Sequence, residues 1–422
     1  MIIIDLASKI LADGYVCDHC LGRQFAKLLS GYTNKERGRV VRTAVCFALE
    51  TGDKIKIDPV NLQGFKFRNY KVKKTKVTEC KVCEDIFLKV PEKAERVIEN
   101  IKDYEFDTIL VGARLSETLI DNEEALWELV GIDFCESIKM ELSRSMGQFI
   151  TTEIKKDLDR ANPQLTVVYD FLEDDFEISV GSLFIYGKYK KLKRGIPQTK
   201  WPCSKCRGLG CDSCDWTGKQ YKETVEELIA APVLDETEGV NSKFHGAGRE
   251  DIDALNLCGR EFVLEILEPI KRSVDLKKLE KEINKINKDK VSVSELASSD
   301  KATVVSLKEK KADKTYIAVV ELDAPIKEAD LKKIDVLKGK VIMQQTPERV
   351  THRRADITRE RKVLDISCEF VDPKNIRIRV TGEAGLYIKE LISSDNGRTE
   401  PSVSALLGVG ATVTALDVVD IK

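Results

Sequence analysis

Apolar positions recur at helical spacing in four stretches of the first half of the chain. These are MIIIDLASKILADGY at the start, EKAERVIENIKDYEF (92–106), NEEALWELVG (122–131) and ESIKMELSRSMGQFITTEIKKDL (136–158). Between and after them, TILVGARL (108–115), LTVVYDFL (165–172) and FEISVGSLFIYGKYKKL (176–192) carry the short apolar or alternating runs of strands, with turn residues at their ends. A further helix, YKETVEELIAAPVL (221–234), precedes a strand-rich half. There EFVLEILE, TYIAVVEL, KVIMQQT, KVLDISCEFV, NIRIRVTG and TVTALDVVDI all read as strands. The helix VDLKKLEKEINKINKD (274–289) puts Leu276, Leu279, Ile283 and Ile286 on one face, a stripe for core packing. The pattern predicts four segments: a head over 1–85, an α/β unit over 86–200, a compact cysteine-rich knuckle over 201–220, and a large α+β domain over 221–422.

Length and composition agree with several folded parts. A chain of 422 residues holds two to four domains of ordinary size. Hydrophobic residues make up 42% and charged residues 33%, which gives real cores under a heavily charged surface. No stretch reaches the ~20 apolar residues that span a bilayer, and the first residues lack the basic start of a signal peptide. A cytoplasmic protein without membrane attachment is expected. The net charge of −2 exerts no overall pull on nucleic acid, so local runs matter more. KFRNYKVKKTK (66–76) has six Lys/Arg, no acid and two aromatics. The stretch 188–200 contributes Lys188, Lys190, Lys191, Lys193, Arg194 and Lys200. Each run has the composition of a solvated face or of an RNA-binding patch.

Eight of the 12 cysteines fall in CxxC pairs: Cys17/Cys20, Cys80/Cys83, Cys203/Cys206 and Cys211/Cys214. In a reducing compartment thiolates at this spacing suit tetrahedral zinc, since a two-residue turn aims both sulfurs at one ion. CSKCRGLGCDSCDWTGK predicts one local four-cysteine site, although pairing with another CxxC also satisfies the spacing. The two distant pairs are candidates for a second site. Cys46, Cys135, Cys258 and Cys368 read as plain buried residues.

No phosphate loop, zinc-protease pair or nucleophile elbow is present, so no nucleotide cofactor is indicated. The informative stretch is FHGAGREDIDALNL (244–257). Gly246, Ala247 and Gly248 permit close approach of a large partner to the backbone. Arg249 and Asp251 place a guanidinium near a carboxylate, an arrangement of nucleophiles and bases and equally of surface ion pairs. GRED followed by IDAL resembles the catalytic aspartate loop of pseudouridine synthases, in the version of the archaeal tRNA pseudouridine-54/55 synthase family. Three later segments agree in order: KTYIAVVEL (314–322) resembles the family's tyrosine strand, QQTPERVTHRRADITRERKVLDI (344–366) its basic thumb-like segment, and GEAGLYIKELISSDNGRTEPSVSALLG (382–408) its C-terminal active-site segment. The head and α/β unit are similar to the family's accessory region with a THUMP RNA-binding domain. One departure is NLCGREF, with Glu261 where the family carries proline in a Gly-rich turn.

The resemblance implies an α+β fold. A zinc-framed and THUMP-like α/β region would precede a catalytic domain on a mixed, mainly antiparallel sheet. It implies isomerisation of uridine to pseudouridine in tRNA, with Asp251 as the catalytic residue. Arg249 would help hold the flipped nucleotide, Tyr316 would stack on uracil, Tyr387 would contact substrate, and Lys389 would be the basic partner of Asp251. Glu250 and Asp253 have no role in that picture and read as surface charges. Arg349, His352, Arg353, Arg354, Arg359, Arg361 and Lys362 read as phosphate contacts. The implied partner is tRNA; zinc is structural, and the reaction needs no cofactor because it conserves every atom.

Overall fold

The computed structural model describes residues 2–353 and 355–422, which divide into two compact units, Met1–Gly181 and Ser182–Lys422. The first begins with α1 (Ile2–Ile10), α2 (Asp18–Arg23) and α3 (Asn34–Glu50). The sequence reading passed over α3. Thr33 starts it with a reciprocal cap: its hydroxyl accepts the Glu36 N–H at 3.2 Å, and the Glu36 carboxylate accepts the Thr33 N–H at 2.8 Å. Next come α4 (Val90–Ile101), β1 (Thr108–Arg114), α5 (Glu117–Val130), α6 (Ile138–Ile154), β2 (Asp157–Leu158), β3 (Leu165–Asp170) and β4 (Asp175–Val180). The strands form one sheet in the order β2-β1-β3-β4, parallel except for β3 and β4. The head and this sheet, read as separate segments, share one core that runs from Ala7 and Leu21 to Ile109, Leu142 and Val167.

One buried ion-pair cluster ties that unit together. Arg23 is fully buried; its Nε lies 3.1 Å from Glu123 on α5 and its Nη1 3.0 Å from Glu141 on α6. Its Nη2 also donates to Cys20 Sγ at 3.5 Å.

The second unit holds β5 (Leu183–Lys191), α7 (Val225–Thr237), β6 (Asn241–Gly246), β7 (Leu255–Leu267), α8 (Leu276–Ile286), β8 (Val291–Ser299), α9 (Lys301–Glu309), β9 (Lys314–Leu322), β10 (Val341–Gln345), β11 (Thr358–Asp372), β12 (Asn375–Gly382), α10 (Ile388–Ser393), β13 (Thr399–Glu400), α11 (Val403–Leu407) and β14 (Ala411–Ile421). Its ten-stranded sheet runs β13-β10-β11-β12-β9-β14-β7-β5-β8, with β6 paired to β7. Pairing is antiparallel throughout except at β14 and β7, where Asp417 and Val418 lie parallel to Leu255 and Asn256. That junction positions the site, because the aspartate loop leads directly into Leu255.

The structure moves one boundary. FEISVGSLFIYGKYKKL reads as consecutive strands of the upstream unit. Here it splits at Gly181, and its second half, β5, pairs with β7 and β8 of the large sheet. The knuckle at 201–220 therefore lies inside the second unit. The α8 stripe is also narrower than its spacing predicts: Leu279 and Ile283 are buried, Leu276 is half-buried, and Ile286 is 63% exposed.

Replacing Arg23 with methionine removes the guanidinium and leaves Glu123 and Glu141 buried against each other. Breaking a buried ionic cluster in this way costs about 3–5 kcal/mol. Urea unfolding followed by circular dichroism is expected to show that loss; a change below about 1 kcal/mol would mean that solvent already screens the cluster.

Candidate active site

The loop between β6 and β7 carries the GRED residues, and its shape follows from what it buries. Glu250 turns inward: its side chain is fully buried and lies 3.0 Å from the equally buried Arg260 Nε, off the line of a hydrogen bond. The Tyr189 hydroxyl meets both Glu250 oxygens at 2.8 and 2.9 Å. Gln198 Nε2 donates to that hydroxyl at 2.8 Å and to the Gly248 carbonyl at 3.0 Å. The reading of Glu250 as a surface charge is thus corrected, since an unpaired carboxylate does not survive such burial. The small residues before it serve the protein's own packing. A Cβ at Gly246 would stand 2.9 Å from Gln198 Nε2, and one at Gly248, whose φ is +83°, 3.0 Å from Arg260 Nη1.

A second buried cation fixes the backbone of the loop. Lys191 is fully buried, and its ammonium donates to the carbonyls of Ile196, Asp251 and Ile252 at 3.0, 3.0 and 3.1 Å. Burial pulls its pKa down, against the opposing attraction of Glu250. Its place in the basic run 188–200 is therefore corrected: Lys191 cannot reach a phosphate. Lys188 pairs with Glu295 at 2.8 Å and Arg194 with Asp417 at 2.6 Å. Lys190, Lys193 and Lys200 are the exposed remainder of that run.

With Glu250 inside, Asp251 faces a cleft of about 770 Å³. Trp201, Arg249, Asp253, Tyr316, Arg349, Tyr387 and Lys389 also line it. The side chain of Asp251 remains 36% exposed. Lys389, in the first turn of α10, stands 3.3 Å from Asp251 Oδ2 and 2.8 Å from Asp253 Oδ2. Asp253 is 67% exposed yet is the nearer partner of that lysine, so it too is more than an idle surface charge. Burial raises its carboxyl, but the hydrogen bond and charge of Lys389, with lesser help from Lys191, together hold it below the usual range. Arg349 lies 3.5 Å from Asp251 Oδ1 while its Nε reaches Glu390 at 2.7 Å.

Tyr316 is half-buried on β9, flanked by Val380 of β12 and Val418 of β14. Burial, opposed by the charge of Arg260, pushes its phenol up to about 12, so it carries its proton at neutral pH. Tyr387 is held through its backbone, which exchanges hydrogen bonds with the Gln344 side chain at 2.9 Å in both directions. The Arg249 guanidinium lies over the Trp201 ring, 4.9 Å from its centroid.

The remaining expected residues divide clearly. In the run 349–362, Arg349 belongs to the cleft, Arg359 bonds the Thr346 hydroxyl at 2.9 Å, and Lys362 is exposed. Arg354 and the side chains of His352 and Arg353 lie outside the described residues. All six basic residues of 66–76 are exposed, while Phe67 and Val72 turn inward against Leu62.

Cys17, Cys20, Cys80 and Cys83 form one group of sulfurs within 4.8 Å of one another, and Cys203, Cys206, Cys211 and Cys214 form another. Cys17 and Cys83 are 3.6 Å apart; Cys214 is 3.8 Å from Cys206 and 3.7 Å from Cys211. A disulfide requires about 2.05 Å. Four sulfurs about 2.3 Å from a central ion stand roughly 3.8 Å apart, so the spacing fits a tetrahedral thiolate site. Backbone N–H groups of Gly210 and Cys211 already point at Cys206 and Cys214 sulfurs, at 3.2 and 3.3 Å.

Sequence reading missed Glu250, Arg260, Tyr189, Lys191 and Trp201. The signal for three of them was strand register. Ile185, Gly187, Tyr189 and Lys191 alternate on the buried face of β5, and Arg260 shares the inward face of β7 with Phe262, Leu264 and Ile266. Glu261, the departure from the proline turn, lies in β7 and accepts the Tyr186 hydroxyl at 2.9 Å.

Comparison with known proteins agrees with this architecture. The family model described as "Pus10, C-terminal" matches residues 184–422, and "Pus10 THUMP domain, archaeal" matches 93–170. A tRNA pseudouridine synthase Pus10 of Halorubrum lacusprofundi is 41% identical over 100% of this chain and 97% of its own. Another of the same name from Methanothermobacter marburgensis is 42% identical over 97% and 96%. Among solved structures, a pseudouridylate synthase is 15% identical over 59% of this chain and 70% of its own, with a TM-score of 0.21, too slight a likeness to bear on the site. The first model boundary falls one residue into β5, where the large sheet begins. From the full-length identity and the two matched segments, the chain belongs to the Pus10 family.

Proposed function

We propose that this protein converts uridine to pseudouridine in the T arm of tRNA, at positions 54 and 55, with Asp251 as the reactive group. The observation that carries the reading is Asp251 itself, a carboxylate at a cleft wall between Lys389 and Arg349, with the uncharged phenol of Tyr316 lining the same space. The named relatives support pseudouridine formation on tRNA as the activity.

The chemistry follows from those groups. A stacked uridine must first leave its helix, which costs a few kcal/mol. Tyr316 supplies an aromatic face for the extruded base, and Tyr387 and Arg249 supply contacts at the rim. Lys389 and Arg349 flank the Asp251 carboxylate at 3.3 and 3.5 Å. It then acts on the ribose, either as nucleophile at the anomeric carbon or as the base that removes a sugar proton. The uracil turns and rejoins through carbon, so no electron or group leaves the system. Zinc in the two cysteine groups contributes folding energy. Incubating the pure protein with an unmodified tRNA transcript and mapping pseudouridine by primer extension tests the whole reading. Transcripts that remain unmodified under saturating enzyme would end it.

Three expectations accompany that test. Asp251→Asn keeps the shape but removes the charge, so isomerisation should fall on the order of 10⁴-fold while tRNA affinity stays within a few-fold. Asp253→Asn should cost less than about fivefold, because an exposed ion pair is worth at most about 1 kcal/mol. If Asp253→Asn proves the dead variant and Asp251→Asn the active one, the roles are reversed.

Tyr316→Phe should keep most activity at pH 7, since a phenol raised to about 12 is not ionised there. Tyr316→Leu, which removes the aromatic face, should lose about 1–3 kcal/mol of base stacking. Equal loss in both variants would assign the oxygen, not the ring, to the chemistry.

Elemental analysis is expected to find two zinc ions per chain. Serine at Cys80 and Cys83 should remove one, and serine at Cys203 and Cys206 the other. Protein purified without chelators and free of zinc would refute the assignment.

A further inference from the structure

The protein has three tryptophans, and two of them flank or occupy the four-cysteine knuckle: Trp201 and Trp216. Trp201 lines the cleft. Beyond it the knuckle closes with a bridge between Pro202 and Lys219, so cleft wall and knuckle are one continuous piece of chain. Trp216 does not pack into any core. It is 73% exposed, in a segment where an aromatic of that size would ordinarily find cover.

Three observations show that this exposure is built in. The Trp216 backbone sits in the left-handed region at φ +60°, directly after Asp215 at +49°, a conformation that costs free energy for a bulky residue. The indole N–H is fixed to Asp212 Oδ1 at 3.1 Å. One edge of the ring rests on Gly210, where a Cβ would come within 3.4 Å of the indole and 3.0 Å of the Trp216 carbonyl. The ring is therefore pinned from one side and bare on the other.

The surroundings point to the kind of partner. Lys200, Lys205, Arg207 and Lys222 are exposed in or beside the knuckle, against exposed Asp212 and Asp215, the former already committed to the indole. The apolar area offered is small: the ring and Leu209, which is 91% exposed. That is the footprint of one nucleobase, and far below the ~800 Å² per partner of a stable protein interface. A flat, immobilised ring on a segment that also carries exposed cations is an arrangement that binds single-stranded nucleic acid by stacking.

We propose that Trp216 is a stacking platform for an unpaired base of the RNA substrate, next to the segment held in the cleft. This rests on the RNA-modifying reading above. The knuckle then has a binding duty beyond holding its metal, and the contact is read by a π-face instead of by charge.

The test uses the full-length, zinc-loaded protein and an unmodified tRNA transcript. Trp216→Ala should weaken binding about thirtyfold, the middle of the range for one stacked base. Pseudouridine formation at saturating RNA should stay within about twofold of wild type. The salt dependence of binding should keep its slope, because no phosphate contact is lost. Trp216→Phe should recover most of the affinity, and quenching of indole emission by RNA should be smaller in this variant than in wild type, since Trp201 at the cleft still reports. Zinc content reports whether each variant keeps the knuckle. Trp216→Ala with full zinc and unchanged affinity overturns the proposal and leaves the ring to a protein partner. Should Trp216→Ala lose its zinc, Trp216→Phe decides: unchanged quenching by RNA overturns the proposal. If wild type forms no pseudouridine but binding still depends on Trp216, the synthase reading falls and the platform stands.

Discussion

A carboxylate with no water around it needs a cation, and at Glu250 that cation is Arg260. The loop that lines the cleft depends on this pair. Both side chains are almost completely enclosed, so neither charge is tolerable without the other. Arg260 reaches its place because β7 continues the inward register set by Phe262, Leu264 and Ile266, and Glu250 must come to it. The loop that delivers Glu250 inward leaves Asp251 facing the cleft. Lys191 then holds the same loop through the carbonyls of Asp251 and Ile252 and ties it to that of Ile196. Neighbouring carboxylates thus part ways: Glu250 is buried with Arg260, and Asp251 faces the cleft.

Much of this was legible in the sequence, and what was not has a consistent cause. The strands β9 to β12 and β14 show because period-two alternation is strong in a sheet with one covered face, whereas the two-residue β13 is too short to show any period. The knuckle shows because four cysteines in twelve residues leave few other arrangements. What stays hidden is a charged residue that folds inward. Glu250 and Lys191 are written in the same letters as solvent-facing charges, and only the register of β5 separates Lys191 from Lys190. The break between β4 and β5 is hidden for another reason. Gly181 and Ser182 look like a hairpin turn, but partner choice is decided by β7 and β8, some 70 to 115 residues away. The pairing of Cys17 and Cys20 with Cys80 and Cys83 is likewise a long-range fact that local spacing leaves open.

The two cysteine groups stabilise quite different neighbourhoods. In the first unit Cys20 touches Arg23, which also binds Glu123 and Glu141, so the cysteine group and the ion-pair cluster are one buried polar system under a shared core. In the second unit the knuckle is almost all surface, with Cys203 and Cys214 its buried members. The first group organises an interior, whereas the second stiffens a projection that begins at the cleft wall with Trp201.

The charges around Asp251 are paired within the protein. Lys389 and Arg349 are already bound to carboxylates, to Asp251 and Asp253 in one case and to Asp251 and Glu390 in the other. Arg249, over Trp201, and Lys314 also line the cleft. In the first unit the row 66–76 offers six exposed cations, with Phe67 and Val72 turned inward. With both cations paired to carboxylates, the positions of Lys389 and Arg349 beside Asp251 are set by contacts within the protein itself.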